Sequence, residues 1–144
     1  MIERLRAFFV DELEQEARLQ PELAAAALMF EVIWADHQIE ERELQVMRQH
    51  LSSAFAVEPS RIDHIISETR RLHDESVGLH EFTSALNEHT TQTQKIEIVR
   101  ALWQIALADS DLDAFEEHII RRIADLLYVS HSDFIAAKIA AKES

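Results

Sequence analysis

Apolar side chains recur at helical spacing along most of the chain, and they predict its elements in turn. In residues 2–18, Ile2, Leu5, Phe9 and Leu13 fall on one stripe of an opening helix. A second helix starts at Pro21, whose missing N–H costs nothing in a first turn. It runs to about residue 35, with Leu23, Ala26, Ala27, Phe30, Ile33 and Trp34 turned toward a core. A third, near 40–56, carries Leu44, Met47, Leu51 and Phe55. A fourth begins at Pro59 and shows Ile62, Ile65, Ile66, Thr69 and Leu72. Residues 74–92 are more polar and include the one glycine, Gly78; they predict a short helix around 79–88 between two connections. The pattern then returns. A helix near 92–108 carries Val99, Leu102, Trp103 and Ala106, and one near 113–128 carries Ile119, Ile120, Ile123 and Leu127. The last follows Ser130, with Phe134, Ile135 and Ile139 as its apolar positions.

This return is in register. At an offset of 73, Phe30 falls on Trp103, Val32 on Ile105, Ala35 on Ala108, Ile39 on Leu112 and Arg48 on Arg121. One residue is then lost, and "AFAVEPS" meets "LLYVSHS" at an offset of 72. The expected architecture is therefore a three-helix unit present twice, at about 22–73 and about 92–142, joined by a linker at 74–91 with its short helix. Two units are too few for a solenoid, so they are expected to pack face to face about a pseudo-two-fold axis. The class is all-α, a compact single domain over residues 1–144 with about 7–8 helices.

Composition narrows the function. With 47% hydrophobic residues the chain is not disordered, and one glycine with two prolines leaves little turn chemistry for hairpins. A net charge of −13 repels phosphate backbones, so nucleic acid is not expected as a partner; the charge suits plain solubility first, and divalent cations or basic protein partners besides. No cysteine is present, which removes disulfides, zinc–thiolate sites and a cysteine nucleophile. The opening segment lacks a signal-peptide core, and the most apolar stretch, "ELAAAALMFEVIWAD", is interrupted by Glu31 and too short for a transmembrane segment. The expected home is the cytoplasm.

The chemistry gathers in two acidic loops. The second reads "ALADSDLDAFEEH", with Asp109, Asp111, Asp113 and Glu116; the first reads "WADHQIEEREL", with Asp36, Glu40 and Glu43 at the matching places. Capping accounts for part of this, because an Asp at N-cap and a Glu three residues on satisfy the first N–H groups of a helix. Asp113-Ala-Phe-Glu116 has that spacing, Glu40-Glu41-Arg42-Glu43 has it with a poorer cap residue, and Ser130-His-Ser-Asp133 repeats it. Capping leaves Asp36, Asp109 and Asp111 unexplained, since they sit at the negative end of the preceding helix. An EF-hand is excluded: counting from Asp109, Ala114 takes the glycine position and Ile120 that of the bidentate glutamate. A looser calcium site shared by both loops stays open.

These loops resemble those of the TerB-like (tellurite-resistance TerB) family, whose pattern is Ala-Asp-Gly, an acid-bracketed aliphatic, then a Glu three residues into the next helix. The resemblance covers roughly residues 22–142 and occurs twice. It implies a compact helical bundle, an association with tellurite and stress resistance, and acids clustered for a divalent metal, notably Ca²⁺. The matching positions are Asp36, Glu40 and Glu43, then Asp109, Asp113 and Glu116, with Asp111 as an added acid. Where the family pattern has glycine, this chain has His37 and Ser110.

Other candidates carry less. "HEFTS" at 80–84 lacks the second histidine of a zinc motif, His118 and His131 read as surface residues, and Trp34 and Trp103 as core. No Gly-rich phosphate loop or nucleophile–base spacing is present, so no catalytic residue is expected. The expected function is a non-enzymatic accessory module that binds Ca²⁺ through its loops and contacts other proteins. The alternative is an interaction or scaffold domain whose acids only cap helices.

Overall fold

A computed structural model describes residues 19–108 and 112–143. The opening helix expected at 2–18, Asp109 and Asp111 lie outside the described residues. Among those described, seven α-helices follow one another without a strand: α1 (Pro21–Ile33), α2 (Glu41–Ser53), α3 (Pro59–Asp74), α4 (Leu79–His89), α5 (Gln92–Ala106), α6 (Ala114–Leu126) and α7 (His131–Glu143). A single 3₁₀ turn, Trp34–Asp36, closes α1.

The helix α1 is the centre of the bundle. Its expected one-sided stripe is corrected here: Ala24 through Phe30, Val32 and Ile33 are all buried, so the helix is enclosed on every side. Its neighbours explain this, since α1 packs on α2, α3, α4, α5 and α6. A helix apolar all round must be buried, and the run of four alanines lets the surrounding helices approach closely. The second central helix is α5, with Val99, Leu102, Trp103, Ile105 and Ala106 buried against α1, α2, α6 and α7. Each fully buried Leu or Ile in this pair contributes about 1.5–3 kcal/mol of transfer free energy.

Helix α7 is turned differently from expectation. Phe134, Ala137 and Ala141 face the core, whereas Ile135 is exposed and Ile139 is 53% exposed. The stripe at i, i+3, i+7 beginning on Phe134 packs on α5, and its small alanines, not the larger isoleucines, suit a close helix crossing. Phe134 stacks obliquely on Trp103 with ring centroids 5.1 Å apart, and Lys138 sets its ammonium 5.0 Å from the Trp103 ring centroid.

The helix ends follow local chemistry. Thr91 and Gln94 form a reciprocal capping box at α5. Ser130 Oγ accepts the Asp133 N–H at 3.2 Å, as its spacing implied. Helices α3 and α6 end in Schellman turns, with Ser76 and Tyr128 left-handed (φ 60° and 58°) and the next residues, Val77 and Val129, donating to Leu72 and Ala124. Helix α2 ends with Ala56 at φ 53°. None of these positions is glycine, so each carries the Cβ penalty of the left-handed region.

Candidate functional site

Both acidic loops bridge a central helix to an outer one, and each candidate acid has a distinct setting. Asp36 ends the 3₁₀ turn, half-buried, and its Oδ1 accepts the Gln38 N–H at 3.0 Å. That bond supplies the offset its place at a helix C-terminus demands. His37 follows in the left-handed region (φ 62°), where the family pattern has glycine. Glu40 precedes α2 in an extended conformation but makes no side-chain cap, a correction to the capping expected of it. Its carboxylate is one methylene farther from the backbone than an Asp, which disfavours the short loop-back to the helix N–H groups. Asp113 does cap: its Oδ1 accepts the Phe115 N–H at 2.7 Å, opening α6.

Glu43 and Glu116, the third residues of α2 and α6, depart most from expectation. As cap acids they belong in solvent, yet they are 1% and 2% exposed. Each shares a helix face with buried aliphatics, Glu43 with Met47 and Leu51, Glu116 with Ile120 and Ile123. That register was present in the sequence, since both glutamates stand at i−4 from a core residue. A carboxylate taken out of water costs several kcal/mol unless hydrogen bonds or opposite charge compensate it. Neither residue lacks an interacting neighbour.

The first loop reaches across the molecule, because its 3₁₀ turn packs on α6, the helix whose first turn holds Glu116. Among the described residues, however, no three His, Asp or Glu side chains group closely enough to hold a metal ion. Asp36, Glu40 and Glu43 do not form such a group by themselves, nor with Asp113 and Glu116.

One polar cluster beside the first loop had no sequence signal. His73 on α3 bonds Glu31 on α1 through Nδ1 and Oε1 at 2.8 Å. The His73 ring meets Phe30 and Trp34 edge-on, and His37 meets Trp34 likewise, at centroid distances of 5.6–5.8 Å. The pairing joins residues 42 apart, which no periodicity reveals. Trp34 is thus half-buried among imidazoles, whereas Trp103 is fully buried as expected. His118 and His131 are exposed, also as expected.

Among the hollows that the described residues form are three on the surface. One of about 650 Å³ lies between α2, α5 and the end of α7, lined by Gln49, His50, Ser53, Gln104 and Lys142 among others. A second, about 410 Å³, is an apolar groove over Met29, Phe55, Ile98 and Ala101. A third, about 230 Å³, lies between the start of α1 and α3. None of the three is lined by a candidate loop carboxylate. Burial holds the His50 imidazole below its ordinary titration range and a nearby Arg100 adds to this, while a Gln104 hydrogen bond and Glu97 oppose it.

The all-helical bundle and twice-repeated acidic loop agree with a family comparison. A model described as Tellurite resistance protein TerB matches residues 22–139. The chain belongs to the TerB family. No curated protein and no solved structure is significantly similar to it. The TerB match spans both acidic loops, so Asp36, Glu43, Asp113 and Glu116 all lie within the family's domain. No described helix is long and apolar enough to cross a membrane.

Proposed function

We propose that this TerB domain is a non-catalytic, cytoplasmic accessory module of a tellurite or general stress response, whose second acidic loop holds a divalent cation, Ca²⁺ by its all-oxygen donors, and which acts by contacting other proteins. The observation that carries the reading is Glu116: an acid kept 2% exposed at the start of α6, three residues after Asp113 in a stretch of sequence that also contains Asp109 and Asp111. Ca²⁺ takes 6–8 oxygens, which carboxylates, loop carbonyls and water supply together. It would balance the charge of a buried carboxylate. The first loop, whose three acids do not group, serves as a structural counterpart that leans on α6.

The proposal includes a duplicated three-helix unit with pseudo-two-fold packing. Helices α2 and α6 have the same length, 13 residues, and begin 73 positions apart. The left-handed residues Ala56 and Tyr128 stand 72 apart. Packing supports the axis too: α1 on α3 is matched by α5 on α7, α1 on α2 by α5 on α6, and α1 on α6 by α5 on α2. The mutual contact of α1 and α5 then lies on the axis itself.

A second reading is favoured by Asp36 and Asp113, which already have backbone partners. In it the acids are structural and the domain is an interaction scaffold without metal. Thermal unfolding in low-salt buffer with Ca²⁺, Mg²⁺ or a chelator separates the two. Calcium at 100 times its Kd adds about 2.7 kcal/mol to stability. Glu116→Gln is expected to remove that response. A melting curve indifferent to millimolar Ca²⁺ leaves only the scaffold reading.

A further inference from the structure

The hollow of about 650 Å³ lies where α2 and α5 meet the end of α7, and its apolar wall is Val46, Leu107, Ala108 and Ala141. Under the pseudo-two-fold proposed above, on which this inference rests, α2, α5 and α7 correspond to α6, α1 and α3. The matching place in the first half is therefore the meeting of the end of α1 with the end of α3. There the chain supplies its own contents. The Trp34 indole lies 5.7 Å from the His73 ring, His73 meets Phe30 at 5.6 Å, and its Nδ1 bonds Glu31 at 2.8 Å.

The residues of the two places correspond along the chain. At the offset of 73, Gln104 falls on Glu31, Leu107 on Trp34 and Ala108 on Ala35. At 72, Ala141 falls on Thr69, one turn before His73 on α3. The difference that matters is Leu107, an isobutyl group where the other half has an indole. Protein interiors are close-packed, so a smaller side chain in place of a bicyclic ring leaves room of that shape. Charge narrows the occupant further. Helices α5 and α7 both end at the hollow, and the partial negative charge of helix C-termini disfavours an anion in a chain of net charge −13. Lys142 at the rim disfavours a cation and suits the electron-rich face of an aromatic ring. The size falls within the range of about 300–1,000 Å³ usual for small-molecule sites.

We propose that the hollow between α2, α5 and α7 binds a neutral, planar heteroaromatic molecule built on a ring system the size of indole. The ring lies against Leu107 and Ala141, as the Trp34 ring lies against His73, and its polar edge turns toward Gln49 and Gln104.

Indole itself is the probe, with benzoate as the charged comparator. Millimolar indole added to the isotope-labelled whole chain is expected to shift the backbone amide signals of Leu107, Ala108, Ala141 and Lys142 and the side-chain amides of Gln49 and Gln104. Benzoate should bind more weakly by about tenfold or more. Leu107→Trp supplies the ring from the chain, as Trp34 does. It should lower indole affinity by about tenfold or more and leave the melting midpoint unchanged or raised. The proposal is overturned if indole shifts none of these signals, or shifts instead those of Met29, Ile98 and Ala101 in the apolar groove. It is equally overturned if benzoate binds as well as indole, or if indole binding survives Leu107→Trp. A Leu107→Trp chain that unfolds or melts lower also overturns it, because the space would then not accept an indole. The axis is judged separately, by superposing α1–α3 on α5–α7 in an experimental structure. Halves that superpose around a hollow indifferent to indole leave the axis standing, and only this inference fails; halves that do not superpose refute the axis, whatever indole does.

Discussion

Asp113 and Glu40 stand at matching places before α6 and α2, yet only Asp113 caps its helix, and that contrast sets a direct measurement. Asp113→Ala removes the acceptor for the Phe115 N–H, a 2.7 Å bond in the first turn of α6. Losing such a cap costs about 1 kcal/mol. For a domain of 144 residues that lowers the melting midpoint by about 4 °C. Glu40→Ala removes no side-chain cap and should change stability by less than about 0.5 kcal/mol. Asp113→Asn keeps an acceptor at the cap and removes the charge, so it should unfold like the parent in chelator but respond less to calcium. Urea unfolding and thermal melts followed by circular dichroism, on the parent and the three variants with chelator and with Ca²⁺, give the values to compare. The reasoning fails if Glu40→Ala costs as much as Asp113→Ala. It also fails if Asp113→Asn is as destabilised in chelator as Asp113→Ala, because the cap would then not be what Asp113 contributes.

Ala56 occupies the left-handed region at the end of α2, so Ala56→Gly should stabilise the protein by about 1 kcal/mol, read as an upward shift in the urea midpoint. Leu102 is fully buried on the central helix α5, and Leu102→Ala should cost about 2–5 kcal/mol in the same assay. The lowered titration of His50 gives a pH dependence: its contribution is fully present above the ordinary value of 6.5 and is lost as pH falls through the lower folded value. Stability therefore rises with pH across that window, and His50→Gln should flatten this part of the curve. An unchanged slope in that variant would assign the effect to another group.

The all-α class and the starts of the helices were determined by the sequence itself, because they depend on local physics. Pro21 and Pro59 place helix starts through their fixed φ and missing N–H, and Ser130 and Asp113 place two more through side-chain acceptors. The twice-written acidic loop was equally legible, and it led to the TerB family. What surrounds a helix is not local, and there tertiary structure decided. Periodicity gave α1 one buried face, but five packed neighbours bury Ala24 through Phe30, Val32 and Ile33 around its whole circumference. In α7 the crossing against α5 selected Ala137 and Ala141 for the core over the more hydrophobic Ile135 and Ile139, since close approach of two helices favours small side chains. Glu43 and Glu116 read as cap acids by their position in the chain and are interior by the packing of α2 and α6. The pairing of His73 with Glu31 across 42 residues has no sequence period at all. Local hydrogen-bond chemistry travels with the residues; burial belongs to the assembly of helices, and the buried carboxylates on which the functional reading turns exist only there.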